Sequence, residues 1–168
     1  MKRQMLTTAD GPVVVSEKTL RALLAIRRGK LLPQLYGKLC LCRSNVEDMS
    51  DVLAGNSLPP WLKLICDYPE QTLPARVASA TFSEAATLRA ALAVGASLVL
   101  IDGPIKERAK LSFIKCEGTV SILVMAHRQG LLSAVKPMIK ALEKLGHGDV
   151  LPPPEAIEAL WTALEKLD

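Results

Sequence analysis

Three acidic residues stand where apolar runs stop or helices start. Glu17 follows "PVVVS", Glu84 ends "TFSE", and Asp102 closes "GASLVLID" just before a Gly-Pro turn. Carboxylates gathered at one point raise one another's pKa, so a fold keeps them together only with protons, cations or a metal alongside. Mg²⁺ or Mn²⁺ takes such oxygen ligands and keeps waters for chemistry on phosphates. Each acid also has a local explanation. In the first turn of a helix, Glu17 is favoured by the helix dipole by about 0.3–1 kcal/mol. "TFSE" has the form of a capping box, in which Glu84 returns a bond to the Thr81 N–H. Asp102 can N-cap the helix begun by "PIKERAKL". Spacing leaves the choice open, and only a topology that brings the three together decides it.

The elements that must position these acids follow from the apolar pattern. "PVVVS" (12–16), "KLCLC" (38–42), "SLVLID" (97–102) and "SFIKC" (112–116) read as strands, with "WLKLICD" as a further extended segment. Between them, "EKTLRALLAIRRG", "SNVEDMSDVLAG" ending at Gly55, and "TFSEAATLRAALAVG" stopped by Gly95 have helical spacing. A helix over 119–129, ended by Gly130, takes Thr119 as its N-cap, and "SAVKPMIKALEKLG" and "PPEAIEALWTALEKL" close the chain. Strands alternating with helices predict an α/β fold, a central parallel sheet with helices on both faces. The functional surface of such a sheet lies at the carboxyl ends of its strands, where the acids are.

Length and composition set the outer bounds. The 168 residues suffice for a single domain with a real core, spanning 1–168, with 1–10 a loose N-terminal segment and 151–168 an appended C-terminal helix. Aromatics are only 4%, so that core must rest on Leu, Ala, Val and Ile. A net charge of +4 admits a nucleic-acid partner without demanding one. The four cysteines form no CxxC pair and the two histidines lie far from them, which argues against zinc. Nothing points to an organic cofactor. The opening "MKRQMLTTADG" has no apolar stretch behind its basic residues, and no run of about eighteen apolar residues exists. The expectation is a cytoplasmic protein without a membrane span. Ile157, Leu160, Trp161 and Leu164 form an apolar stripe on the last helix, which predicts a homodimer if the stripe is left exposed.

From Leu98 onward the chain resembles a known family. "LVLID" followed by "GTVSILVMAHRQGLLSAVKPMIKALEKLG" follows the Gly-Thr, Leu-Leu, Gly-Leu and Val-Lys-Pro pattern of the PIN-domain-like predicted nucleic-acid-binding proteins, relatives of the PIN-domain ribonucleases. "GKLLPQLYGKLCL", "LPPWLKL" and "SEAATLRAALAVGASLVLID" extend the likeness to nearly the whole chain. The resemblance implies a three-layer α/β/α sandwich of prokaryotic type, and RNA cleavage through Mg²⁺ or Mn²⁺ held by acids. It also implies an antitoxin-like small protein as partner, since such nucleases serve as toxins in toxin–antitoxin pairs. Carried over residue by residue, the catalytic and metal-binding acids are Glu17 in "SEKT", Glu84 in "SE" and Asp102 in "LID".

This chain departs from that pattern in ways that weaken the acidic site. Glu17 stands where relatives carry Asp, and its extra methylene moves the carboxylate by roughly 1.5 Å. Gly103 occupies a place where many relatives have another acid, and Glu107 lies a helical turn away. Lys18 and Lys106 adjoin the expected cluster, where an ammonium can neutralise acids in place of a metal or contact a phosphate. In relatives the region of Thr119 borders the site. The combined expectation is a ribonuclease relative that binds metal weakly. The alternative is a non-catalytic nucleic-acid-binding or interaction module on the same fold.

Overall fold

The computed structural model describes residues 11–47, 49 and 58–166. Its centre is β1 (Val13–Val15), three valines that are all buried. β-branched side chains are stiff at χ1 and suit a pleated surface, and a run with no polar alternation belongs to a strand covered on both faces. Both faces are indeed covered. Val13 and Val15 join one apolar core, and Val14 joins a second on the other side of the sheet.

Four more strands complete a sheet of order β3-β2-β1-β4-β5, every neighbouring pair parallel. They are β2 (Leu39–Cys42), β3 (Leu62–Ile65), β4 (Leu98–Leu100) and β5 (Cys116–Glu117). Helices α1 (Glu17–Ala25), α2 (Leu31–Tyr36), α6 (Thr119–Arg128), α7 (Lys136–Lys144) and α8 (Pro154–Glu165) feed the first core. Helices α4 (Phe82–Val94) and α5 (Pro104–Leu111), with a 3-10 turn at Ala75–Val77, build the second. The result is a three-layer α/β/α sandwich with an all-parallel sheet. A short α3 (Arg43–Glu47) begins where "SNVEDMSDVLAG" predicts a helix, and the predicted end at Gly55 lies outside the described residues.

The sheet order places the topological switch between β1 and β4. The chain leaves β1 toward β2 on one side, and β4 continues toward β5 on the other. Val15 pairs with Leu100 in register, so the residues following these strands emerge side by side. Those residues are Ser16 with Glu17, and Ile101 with Asp102.

Two expectations change. The strand predicted over 112–116 begins only at Cys116, because residues 112–114 are consumed in ending α5. Ile114 N–H bonds the Ala109 carbonyl, and Phe113 sits at φ +63°. The stripe on α8 turns inward: Leu164 is buried, and Leu160 and Trp161 pack against the first core. Lys136 Nζ stands 5.0 Å from the centre of the Trp161 ring, a cation–π contact that covers it further. Three of the four stripe residues are thus covered, wholly or in part, by the chain itself.

Leu123 is wholly enclosed in the first core, whereas Leu145 is 54% exposed just after α7. Leu123→Ala should lower the free energy of unfolding by about 2–5 kcal/mol. Leu145→Ala should change it by less than about 0.5 kcal/mol. Urea denaturation followed by circular dichroism measures both, and similar costs for the two would contradict this assignment of the core.

Candidate functional site

Asp102 ends the buried run that contains β4 and is itself only 3% exposed. A carboxylate so deep must be hydrogen-bonded, and its partners come from two other elements. Thr19 Oγ1, in the first turn of α1, donates to Oδ2 at 2.6 Å. Thr119 Oγ1 donates to the same oxygen at 2.6 Å, and the Thr119 backbone N–H donates to Oδ1 at 2.9 Å. Behind Thr19 stands Ser16, the N-cap of α1, whose hydroxyl donates to Thr19 Oγ1 at 3.0 Å and accepts from the Thr19 N–H at 3.3 Å.

Asp102 thus caps a helix, but not the one expected. The residue before α5 is Gly103, at φ +91°. The helix whose N-terminal N–H meets the carboxylate is α6, seventeen residues on. Thr119 is likewise not the N-cap of α6. That position is Gly118, and Thr119 is the first helical residue, its hydroxyl spent on Asp102. Gly118 is required for clearance rather than for conformation: a Cβ there would stand 2.7 Å from Asp102 Oδ1 and 3.1 Å from Lys106 Nζ. Since three bonds pin the carboxylate, it has little room to yield.

The two glutamates are also engaged. Glu17 opens α1, and its Oε1 accepts from Arg21 Nε at 2.7 Å, one turn along the same helix. The capping box of "TFSE" forms in full: Thr81 Oγ1 accepts from the Glu84 N–H at 3.2 Å, and Glu84 Oε1 accepts from the Thr81 N–H at 2.9 Å. Its other oxygen, Oε2, lies 4.0 Å from where a Cβ on Gly103 would be, as does Lys18 Nζ. Glu84 and Lys18 therefore meet over Gly103, while Asp102, Thr119 and Lys106 meet over Gly118. Glu17 turns to Arg21.

Sequence reasoning missed the C-terminal part of the site. Lys18 Nζ lies 3.6 Å from Asp149 Oδ2, in the 3-10 turn Gly148–Val150. A cleft of about 670 Å³ opens beside Asp102, with Lys106, Glu107 and Asp149 as its charged lining. Val120 and the segment from Val150 to Pro153, with Leu160, supply much of its apolar wall. The signal available in the sequence was the run of three prolines, 152–154, which cannot continue a helix and turns the chain back across the sheet edge.

These donors do not fit a metal ion as they stand. Among the described residues, no three His, Cys, Asp or Glu side chains are grouped so as to hold one. All three expected ligands already accept hydrogen bonds from the protein itself. Thiol chemistry is no closer: burial pushes Cys42 up to about 12 and Cys116 up to about 11, so both remain protonated.

Fold and geometry converge with comparison to known families. The family model for the PIN domain matches residues 12–147, most of the chain. The chain is a PIN-domain protein. No curated protein and no solved structure gives a significant match. The match runs from the start of the sheet through the end of α7, so it holds every acid inferred from the resemblance. The PIN assignment brings a nuclease-type fold, with Asp102 at the switch point of its sheet. No described helix is long and apolar enough to cross a membrane.

The hydrogen bonding predicts opposite outcomes for two acids. Asp102→Asn places an amide where two hydroxyls and an N–H all donate, and Gly118→Ala pushes into the same carboxylate. Each should destabilise the fold by about 1–3 kcal/mol. Glu84→Gln keeps the capping box, which accepts Gln as well as Glu, and should cost less than about 0.5 kcal/mol. Denaturation midpoints decide this, and an Asp102→Asn protein as stable as the parent would remove Asp102 from its structural role.

Proposed function

We propose that this protein binds nucleic acid at the carboxyl edge of its sheet, as a relative of the divalent-metal-dependent PIN ribonucleases whose acidic site is weakened. The observation that carries the reading is that both oxygens of Asp102 are engaged. Three internal hydrogen bonds occupy both of its oxygens, while Glu17 is held by Arg21 and Glu84 by its own helix cap.

Binding can be described from the chain's own residues. Lys106 borders the cleft, and Lys18 reaches it through an exposed ion pair with Asp149. An exposed pair of this kind is worth only about 0–1 kcal/mol, so an arriving phosphate can draw Lys18 away from Asp149 at little cost. Phosphate contacts position a nucleic acid without reading its sequence, which suits a site with two lysines and few neutral donors. RNA is the partner the family suggests. An antitoxin-like protein would act within this proposal by covering the cleft between α6 and the turn at Asp149.

One observation favours a second reading, retained ribonuclease activity: Asp102, Glu107 and Asp149 line the same cleft. In that reading Glu107 and Asp149 would have to close on Asp102 to act as its partners, since as they stand the three are not grouped to hold a metal.

Thermal unfolding with and without Mg²⁺ or Mn²⁺ separates the two, together with a cleavage assay on single-stranded RNA. A site whose dissociation constant lies a hundredfold below the metal concentration adds about 2.7 kcal/mol. The expected result is no such gain at low millimolar Mg²⁺, no cleavage above that of Asp102→Asn, and RNA affinity lowered by Lys106→Ala. Strong Mg²⁺ stabilisation, with cleavage lost in Asp149→Asn or Glu107→Gln, would establish the second reading instead.

A further inference from the structure

Phe113 is 99% exposed and holds a left-handed backbone at φ +63°. It occupies the position just past the end of α5: its N–H bonds the Lys110 carbonyl, and the next N–H, that of Ile114, bonds the Ala109 carbonyl. This is the Schellman ending, in which glycine is the usual residue because a Cβ is disfavoured there. Helices α4, α6 and α7 end in the same way with Gly95, Gly130 and Gly146, all at positive φ. Arg27, after α1, is the other non-glycine residue with positive φ among those described, but its polar end is at home in water. At Phe113 a large apolar ring is carried on an unfavourable backbone and buries almost nothing. The fold gains nothing from the ring.

The surroundings of the ring are basic and concave. Arg76 donates from Nη1 to the Leu111 carbonyl at 3.3 Å, which fixes its guanidinium next to the turn. Arg76, Leu111, Ser112 and Phe113 line a shallow depression of about 390 Å³. Arg108, Lys110 and Lys115 are exposed on either side of Phe113 in sequence. The depression itself is lined by Pro74, Ala75, Arg76, Leu111, Ser112 and Phe113, with no acid among them. Acids flank the stretches 72–83 and 108–116 at Glu84, Glu107 and Glu117, and Glu107 Oε1 is 3.9 Å from Lys110. Arg108 and Lys110 also suit the C-terminal end of the α5 dipole. Arg76 and Lys115 belong to other elements, and the dipole does not account for their position.

We infer that this corner, at the amino edge of the sheet, is a second site for single-stranded nucleic acid, with an unpaired base stacked on Phe113 and the four cations on the flanking phosphates. The chemistry selects this partner. A ring presented edge-free to solvent offers a π-face to any base, the guanidinium of Arg76 adds a planar cation beside it, and the local positive charge attracts a polyanion. The same four cations would face one another across a symmetric contact between two copies of the chain, which disfavours self-association here. The inference is independent of the cleft beside Asp102, which lies at the opposite edge.

Fluorescence anisotropy of the full chain with a labelled oligouridylate at low salt tests the inference. Phe113→Gly removes the ring and relieves the backbone, so this variant should melt no lower than the parent. It should bind the oligonucleotide roughly tenfold or more weakly. Phe113→Trp should bind as well as the parent or better, and a duplex of equal length should be insensitive to either change. Lys106→Ala, at the other edge, reports on the cleft separately, so loss of one site is distinguishable from loss of the other. Unchanged affinity in Phe113→Gly, or a parent that does not bind the oligonucleotide, would overturn the inference. So would a parent dimer in light scattering that Phe113→Gly converts to monomer, since the corner would then be a protein interface.

Discussion

The carboxylate of Asp102 ties together the carboxyl edge of the sheet. A buried charge without donors costs several kcal/mol, and removal of one partner of such a group is among the more damaging changes a core can suffer. Here the donors come from α1 and α6, while the acid itself follows β4. One side chain therefore fixes three elements at the switch point of the sheet, where β1 and β4 run side by side. The Ser16 hydroxyl polarises that of Thr19, which in turn donates to Asp102, and bonds in such a chain strengthen one another. Gly118 is the condition for all of it, because any side chain there would stand in the carboxylate's place.

The same bonds that hold the edge together compete with chemistry at it. Ligation of a divalent ion needs carboxylate oxygens that can be given up to the metal, and near-ideal octahedral geometry in the case of Mg²⁺. Asp102 accepts three hydrogen bonds, from Thr19 and Thr119. Glu17 is long enough to fold back onto Arg21, and Glu84 closes its own helix. Each acid at the carboxyl edge is stabilising where it is, and activity would require destabilising it. Natural proteins often show this opposition between a stable site and a working one.

Much of this was legible in the sequence, and the boundary of legibility is physical. Apolar runs such as "VVV" and "LVL" could only be covered strands, and "TFSE" specified its capping box because both partners lie within four residues. The partners of Asp102 were not legible, being 83 and 17 residues away and chosen by sheet order rather than by local pattern. "SFIKC" alternates like a strand, yet the chain needs Ser112, Phe113 and Ile114 to close α5, and helix termination overrode β propensity. Phe113 was hidden for the related reason that nothing local signals a bulky residue in a glycine's conformation. The cleft wall was missed because a proline run has no periodicity, so its packing against α6 follows only from the fold.

Charge pairing distinguishes the two edges of the sheet more sharply than charge number does. At the carboxyl edge three cations have an acid close by: Arg21 with Glu17, Lys18 with Asp149, and Lys106 beside Asp102 over Gly118. Paired charges cancel within a few ångströms, and at physiological ionic strength little of their field survives beyond about 8 Å. At the amino edge the cations around Phe113 are more loosely paired: the one ion pair there, among the described residues, is the long contact of Lys110 to Glu107, at 3.9 Å. Their fields add. A polyanion approaching from solution would feel the amino edge first. The carboxyl edge would engage only at contact distance, once a phosphate is near enough to compete with Asp149 for Lys18.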